Sequence, residues 1–355
     1  MNKNFNDEIN LKVQEYYGEV LSSSEDLKTN ACCTSATMPE FVRRALSDIH
    51  DEVVKRYYGC GLVLPESLEG MNILDLGCGA GRDVYLLSRL VGPKGRVVGI
   101  DMTSAQLKVA RDYQEYHAEK FNYPVSNVEF IQANIENLAE TILEPNSFDL
   151  IISNCVINLV ADKSAVISGA HRLLREGGEM YFADIYADRR LPEELRRDPI
   201  LNGECLAGAL YPKDFLELAK LAGFKNPRLV ETSPIEINDP SIQGRIGPAI
   251  FCSATYRLFK INNLEINDEY YGQSAIYLGN IPEHSQNFHL DEKNIFPTGV
   301  ACNISGNTSK ILLGSRFKKN FELKGDTSNY LGGDSIDSYN NLPKFDQITK
   351  SSSCC

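Results

Sequence analysis

The sequence predicts a doubly wound α/β fold with a mostly parallel sheet, preceded by N-terminal helices and followed by a small irregular module. Three observations predict it. Between about residues 70 and 260, short apolar runs alternate with helical patterns, as expected of successive βαβ units. A glycine-rich turn, Gly77-Cys78-Gly79-Ala80-Gly81, joins the first apolar run to the first helix of that series. Outside these limits the rhythm changes, to helical spacing before residue 70 and to Asn, Ser and Gly-rich chain beyond about 262.

The elements follow in order. Ile9, Val13, Tyr16, Tyr17, Val20 and Leu21 recur at helical spacing, and Ser22–Asn30 is a polar break. Pro39 starts a second helix, in which Phe41, Ala45, Ile49, Val53 and Tyr57 repeat every four residues until Gly59 and Gly61. Asn72–Leu76 is the first strand and Arg82–Val91 its helix. Arg96–Ile100 is the second strand, ending at Asp101. Thr103 or Ser104 is positioned to cap a helix reaching about Lys120. Val128–Gln132 and Phe148–Ser153 are the third and fourth strands, and Asp162–Leu174 is helical. A strand over Glu179–Ile185 follows a Gly177–Gly178 turn. Pro212 opens a helix ending at Gly223, and strands follow near Pro227–Glu231 and Ile250–Arg257. Ser274–Leu278 and Lys310–Leu313 read as short strands of the last module. The predicted division is a helical segment over 1–69, a core over 70–262, a small module over 263–325 and a mobile tail over 326–355.

Composition excludes several classes of function. Of the 355 residues 43% are apolar and 24% charged, enough apolar material for a sizeable core. The net charge of −12 argues against a surface made to coat nucleic acid or anionic membrane. No apolar run approaches the roughly 18 residues a membrane span requires. The first ten residues are polar and mixed in charge, which predicts no secretory leader and a reducing, cytoplasmic setting. A monomer is expected.

The glycine loop points to a ligand other than a dinucleotide. Its spacing is G-x-G-x-G, and Asp75 precedes it, where a carboxylate would repel a pyrophosphate but suit a cationic ligand. This disfavours a nicotinamide-linked oxidoreductase. Asp101, ending the second strand, is placed to accept hydrogen bonds from two ribose hydroxyls. Asn134-Ile135-Glu136 follows the third strand, where an apolar side chain can sandwich an adenine and a polar neighbour can read its amino group. Together these features resemble the class I S-adenosylmethionine-dependent methyltransferases over about residues 70–235. The resemblance implies a seven-stranded, Rossmann-like sheet. It also implies a cofactor site formed by Asp75, Gly77, Gly79, Gly81, Asp83, Asp101, Met102, Ile135, Glu136 and Asn154.

Ten cysteines, at 32, 33, 60, 78, 155, 205, 252, 302, 354 and 355, lack the paired CxxC spacing of a structural zinc site. Open α/β sheets bind ligands beyond the carboxyl ends of their strands. Cys155 lies there, after the fourth strand, and Cys205 lies in a long connection able to fold over the same edge. Cys78 and Cys252 read as small buried residues, and Cys302 carries no sign of a role. The segments Asn30-Ala31-Cys32-Cys33-Thr34, Tyr57-Tyr58-Gly59-Cys60-Gly61, Ser153-Asn154-Cys155-Val156-Ile157-Asn158-Leu159 and Gly203-Glu204-Cys205-Leu206 resemble the arsenite methyltransferases, as does Gly99-Ile100-Asp101-Met102-Thr103. Cys354-Cys355 is similar to the vicinal thiols near the end of several members.

That resemblance implies four functional cysteines: Cys32, Cys60, Cys155 and Cys205. Cys33 stands directly beside Cys32 and competes for its role. Trivalent arsenic is thiophilic, and thiolates are the soft protein ligands. The resemblance implies that Cys155 and Cys205, joined by Cys60, hold trivalent arsenic as a pyramid with its lone pair directed at the methyl group of S-adenosylmethionine. Such a reaction needs positioning more than acid–base help. Cys32 would then pair with Cys60 in a disulfide, reset by an external thiol reductant such as thioredoxin or glutathione. Tyr57 and Tyr58 either close the site or end an apolar helical stripe. Two other readings compete: a C- or O-methyltransferase of a small organic metabolite, and a non-enzymatic metalloid-binding protein. The first would use a positioned base, but the histidines at 50, 117, 171, 284 and 289 do not cluster near the expected mouth. The second has no use for a methyl-donor loop.

Overall fold

The computed structural model describes residues 3–17, 38–59, 61–334 and 341–345. Before the sheet come α1 (Lys3–Glu15), α2 (Glu40–Leu46) and α3 (Asp51–Val54). The stripe from Phe41 to Tyr57 predicts one helix, but the chain breaks it. His50 adopts an extended conformation, and its Nδ1 accepts from the Glu52 backbone N–H to start α3 afresh. The same ring stacks on Tyr113 at 3.9 Å between centroids.

The central sheet has seven strands: β1 (Asn72–Leu76), β2 (Arg96–Asp101), β3 (Val128–Gln132), β4 (Phe148–Asn154), β5 (Leu174–Ala187), β6 (Arg228–Ile235) and β7 (Phe251–Phe259). Their spatial order is 3-2-1-4-5-7-6. β1–β5 run parallel, and β7 inserts antiparallel between β5 and β6. Alternation along the strands divides the core into two faces. Leu74, Leu76 and Ile151 point to one, Ile73, Leu150 and Ile152 to the other, as expected when helices cover both sides. Strand order reverses at β1, so a crevice opens beyond the carboxyl ends of β1 and β4.

The connecting helices are α4 (Arg82–Val91), α5 (Ser104–Asp112), α6 (Gln114–Lys120), α7 (Lys163–Leu173), α8 (Pro199–Gly203), α9 (Pro212–Leu221) and α10 (Pro240–Ile246). The helix expected to reach Lys120 is split at Tyr113, which leaves helical geometry at φ −109, ψ 12. Thr103 occupies the cap position of α5, but its side chain makes no capping bond. Gly177–Gly178 lies inside β5 rather than before it. Gly177, at φ +79, donates its N–H to the Lys260 carbonyl, and the β4–β5 register shifts nearby.

Beyond β7, strand β8 (Glu269–Tyr277) precedes a small hairpin of β9 (Asn287–His289) and β10 (Ile295–Pro297). It pairs antiparallel with β11 (Ala301–Ser305), β12 (Phe321–Lys324) and β13 (Gly332–Gly333). The apolar run near Ile311 is helical, in α11 (Gly306–Gly314). Ser305 Oγ accepts the Thr308 N–H and starts a helix that a short apolar run could not specify. Phe288, Phe296, Phe317 and Tyr277 fill this module. Chain expected in a tail is part of the fold: Gly332–Gly333 pairs with β8, and Leu342 and Phe345 pack on the central core.

A buried ionic cluster joins module to core. Arg257 of β7 pairs with Glu66 at 2.6 Å and with Glu179 at 3.2 Å, and Arg316 pairs with Glu179 from the other side. Glu179 and Arg257 are fully buried. Arg257→Met would strip Glu66 of its ion-pair partner and leave Glu179 with Arg316 alone, and the expected loss of stability is about 3–5 kcal/mol, measured by urea unfolding followed by circular dichroism.

Candidate active site

A cleft of about 960 Å³ opens at the carboxyl edge of β1, β2 and β4. Its floor is the glycine loop. Gly77 and Cys78 both donate to the Ile100 carbonyl, at 2.8 and 2.9 Å, which turns the chain sharply off β1. Gly77 has φ +75, and a Cβ there would lie 2.5 Å from Val156, so only glycine lets the loop meet the turn after β4. Gly79, at φ +53, has no atom within 4 Å of where its Cβ would be, leaving backbone bare on the cleft wall. Gly81 has a different role. It precedes α4 at φ +90 and packs on Phe130 and Ala110, outside the cleft lining.

Asp101 is held by the loop it faces. Its Oδ2 accepts the Gly79 N–H at 2.9 Å and its Oδ1 the Thr103 N–H at 2.7 Å. Each oxygen keeps acceptor capacity toward the cleft, where two vicinal hydroxyls would fit. Burial pushes the Asp101 carboxyl up, opposed by these backbone donors. Asp75 is more perturbed. Burial and the neighbouring Asp83 and Asp101 hold it well above the usual carboxylate range, with Arg82 opposing. A cation entering the cleft would supply the compensation that Asp75 lacks.

Asp83 accepts from Arg82 Nε at 2.8 Å, and the Arg82 guanidinium lies 3.0 Å from the centroid of the Tyr57 ring. Asn154 Nδ2 donates to the Tyr57 hydroxyl at 2.6 Å and reaches Asp83 at 3.4 Å. Tyr57 and Tyr58 therefore stand on the cleft wall with Asp83 and Asn154. Met102 and Ile135 line it too, but Glu136 turns away. Its carboxylate accepts from Asn10 at 2.8 Å and Asn134 at 3.1 Å, and also from the Asp162 N–H. At this edge Asn134, rather than Glu136, is the polar side chain on the lining.

Helix α1 is the part of the site that spacing alone did not reveal. Asn10, Val13 and Tyr17 line the cleft. Gln14 Nε2 donates to the Met102 carbonyl at 2.9 Å, Gln106 Nε2 to the Tyr17 carbonyl at 2.9 Å, and the Tyr17 hydroxyl to the Gly203 carbonyl at 2.7 Å. The sequence signal was present but ambiguous: Ile9 and Val13 announce a buried face, not what that face covers.

Cys155 and Cys205 meet at the same edge. The Cys205 Sγ lies 2.9 Å from the Cys155 carbonyl oxygen, and both residues are buried. Both adopt left-handed backbone, at φ +55 and +61, a conformation that costs energy in residues bearing a Cβ and clusters at functional sites. Cys155 is disulfide-bonded, whereas Cys78, Cys252 and Cys302 are free thiols. Burial holds Cys78 well above the ordinary thiol range, reinforced by the Asp101 and Asp75 charges, and burial pushes Cys252 up to about 12. Neither is poised as a thiolate. Cys32, Cys33, Cys60, Cys354 and Cys355 lie outside the described residues, as does the expected Cys32–Cys60 pairing.

The strand order and the carboxylate-lined glycine cleft define a class I methyltransferase fold. Residues 67–223 match the family model of a methyltransferase domain, and residues 272–350 match the arsenite methyltransferase C-terminal domain. The chain is 52% identical to the arsenite methyltransferase of Aquipseudomonas alcaligenes, over 90% of this chain and 92% of that one. It is 47% identical to the arsenite methyltransferase of Homo sapiens, over 89% of this chain and 84% of that one. The crystal structure of CrArsM, an arsenic(III) S-adenosylmethionine methyltransferase from Chlamydomonas reinhardtii, superposes with a TM-score of 0.80 at 46% identity. That match covers 84% of this chain and all of that one. The chain belongs to the arsenite methyltransferase family.

Two outcomes follow for the cleft. Asp101→Ala should weaken S-adenosylmethionine binding by about tenfold or more, because it removes charge-assisted acceptors, as read by isothermal titration. Asp75 must ionise to meet a cation, so binding should release a proton and strengthen as pH rises through the raised Asp75 value. Titrations in buffers of different ionisation enthalpy measure that proton directly. Zero proton release at every pH tested across the acidic range would remove Asp75 from the cation's neighbourhood.

Proposed function

We propose that this protein methylates trivalent arsenic with S-adenosylmethionine as methyl donor, yielding methylated and dimethylated arsenicals. The observation that carries the reading is the convergence of Cys155 and Cys205 beside a cleft suited to a cationic nucleoside ligand. When bound, S-adenosylmethionine supplies an electrophilic methyl group on a sulfonium centre. Asp101 would hold its ribose hydroxyls, and Ile135 and Met102 would flank its base. Asp75, Asp83 and Asn154 form the polar wall toward its amino acid end. Helix α1 lines one side of the cleft through Asn10 and Val13.

The arsenical is the substrate, and Cys155 and Cys205 are its proposed ligands, with Cys60 completing the set. Cys32, or Cys33 beside it, would act as the redox partner. With Cys155 in a disulfide, its sulfur is unavailable to arsenic until two thiols of an external reductant convert the bond to two cysteine thiols and are themselves oxidised to a disulfide. A small dithiol protein or glutathione has the required chemistry. Residues 70–262 form the proposed catalytic core, and the module after β7 buttresses it through the Arg316–Glu179 pair of the Arg257 cluster.

Arsenic speciation by chromatography with mass detection tests the reading. Reduced protein given arsenite and S-adenosylmethionine should form methylated arsenic, and oxidised protein without reductant should form none. Cys155→Ser and Cys205→Ser should each lower the rate by about 100-fold or more, as loss of a positioning ligand would, while S-adenosylmethionine affinity stays within about twofold. Wild-type rates in either variant would end the ligand assignment. Complete absence of methylated arsenic from the reduced wild-type protein would end the reading itself.

A further inference from the structure

Behind the Cys155–Cys205 pair lies a polar knot that the proposed chemistry leaves unused. Asn158, Lys163, Asp184 and Arg196 are all buried, at no more than 9% exposure. They come from the turn after β4, the first residue of α7, strand β5 and the single helical turn Glu193–Arg197. Lys163 Nζ donates to the Asn158 carbonyl at 3.2 Å and the Val160 carbonyl at 3.1 Å. Arg196 Nη2 donates to the same Val160 carbonyl at 2.6 Å. Asp184 accepts the Asn158 N–H at 3.0 Å and the Ile185 N–H at 2.8 Å. Asn158 Nδ2 donates to the Ile185 carbonyl at 2.6 Å.

Enclosing a lysine and an arginine is costly, and here the two converge on one backbone oxygen. The segment they grip explains the expense. Leu159 and Val160 line the cleft. On the other side, a Cβ on Gly208 would lie 1.9 Å from the Asn158 oxygen, so the turn carrying Cys205 rests directly on that carbonyl. Residues 156–160 are thus fixed between the cleft and the Cys205 turn, immediately after Cys155. A left-handed cysteine persists only where its surroundings over-determine it, and this grip supplies that constraint for both cysteines.

We infer that Lys163 and Arg196 are positioning residues for the methyl transfer: through the Asn158 and Val160 carbonyls they fix the two substrate thiols against the cofactor cleft. The inference rests on the reading of Cys155 and Cys205 as arsenic ligands. Neither cation touches the reacting atoms, and their removal should act through geometry, where a displacement of about 1 Å can cost on the order of 100-fold.

The test uses reduced full-length protein with arsenite and S-adenosylmethionine. Lys163→Met should lower kcat by about tenfold or more, with S-adenosylmethionine affinity within about twofold of wild type. Lys163→Gln keeps N–H donors without the charge and should recover a substantial part of the lost rate. Arg196→Met tests the same Val160 carbonyl with the lysine intact and should also lower kcat selectively. Wild-type kcat in both methionine variants, while Cys155→Ser and Cys205→Ser are inactive, would overturn the inference and leave the ligand assignment standing. A parallel fall in kcat, cofactor affinity and melting temperature in all three variants, with no recovery in Lys163→Gln, would reduce the knot to packing and also overturn it. Full activity in the two cysteine variants would overturn both claims together.

Discussion

The site depends on one backbone hydrogen bond, from the Cys155 N–H to the Ala183 carbonyl, 2.9 Å long. It adds a last rung to the β4–β5 ladder after the strand pairing ends at Asn154. The chain then turns at φ +55 instead of continuing extended. The preceding residue, Asn154, stays on the cofactor side with Tyr57 and Asp83. The following residue, Val156, meets Gly77 so closely that the glycine loop cannot carry a side chain there. Cys155 itself receives the Cys205 sulfhydryl on its carbonyl. A single rung therefore sets the distance between glycine loop, polar wall and thiol pair.

Electrostatics divides the cysteines by location. Cys78 lies in the glycine loop near Asp75 and Asp101, and negative charge there opposes thiolate formation. The same acids favour a cationic guest. Cys205 lies on the other side of the β4 turn, near the buried Lys163 and Arg196. The acidic wall suits the methyl donor, whereas the knot behind the thiols sets the buried Lys163 and Arg196 beside the buried Asp184.

The central alternation, the glycine loop and the end of β2 at Asp101 were legible in the sequence because they rest on local rules. Strand period, turn chemistry and carboxylate placement each need only a few neighbouring residues. The misreadings have a common cause, which is that tertiary partners decide. His50 and Tyr113 break their helices while stacked on each other, although neither breaks a helix by propensity. Gly177–Gly178 reads as a turn, yet the Lys260 backbone pairs it into β5. Ile311 and Leu312 suit a strand or a helix, and the Ser305 cap decides. At the site, Ile135 and Asn154 could be placed from strand ends. Glu136 could not, because its role is set by Asn10 and Asp162, which are remote in sequence. The approach of Cys205 to Cys155 was legible only as a shared edge, since its contact depends on a connection of about 50 residues folding back.

Helix α1 has a kinetic corollary. It is bonded to Met102 and Glu136 beside the cofactor wall, and Tyr17 just past its end is bonded to Gly203 beside the Cys205 turn. A nucleoside bound in the cleft would lie against Asn10, Val13 and Tyr17, so its exchange would be eased by loosening of this helix. Opening would also free the Gly203 end of the turn carrying Cys205, so the cofactor side and the thiol side of the cleft would loosen as one event.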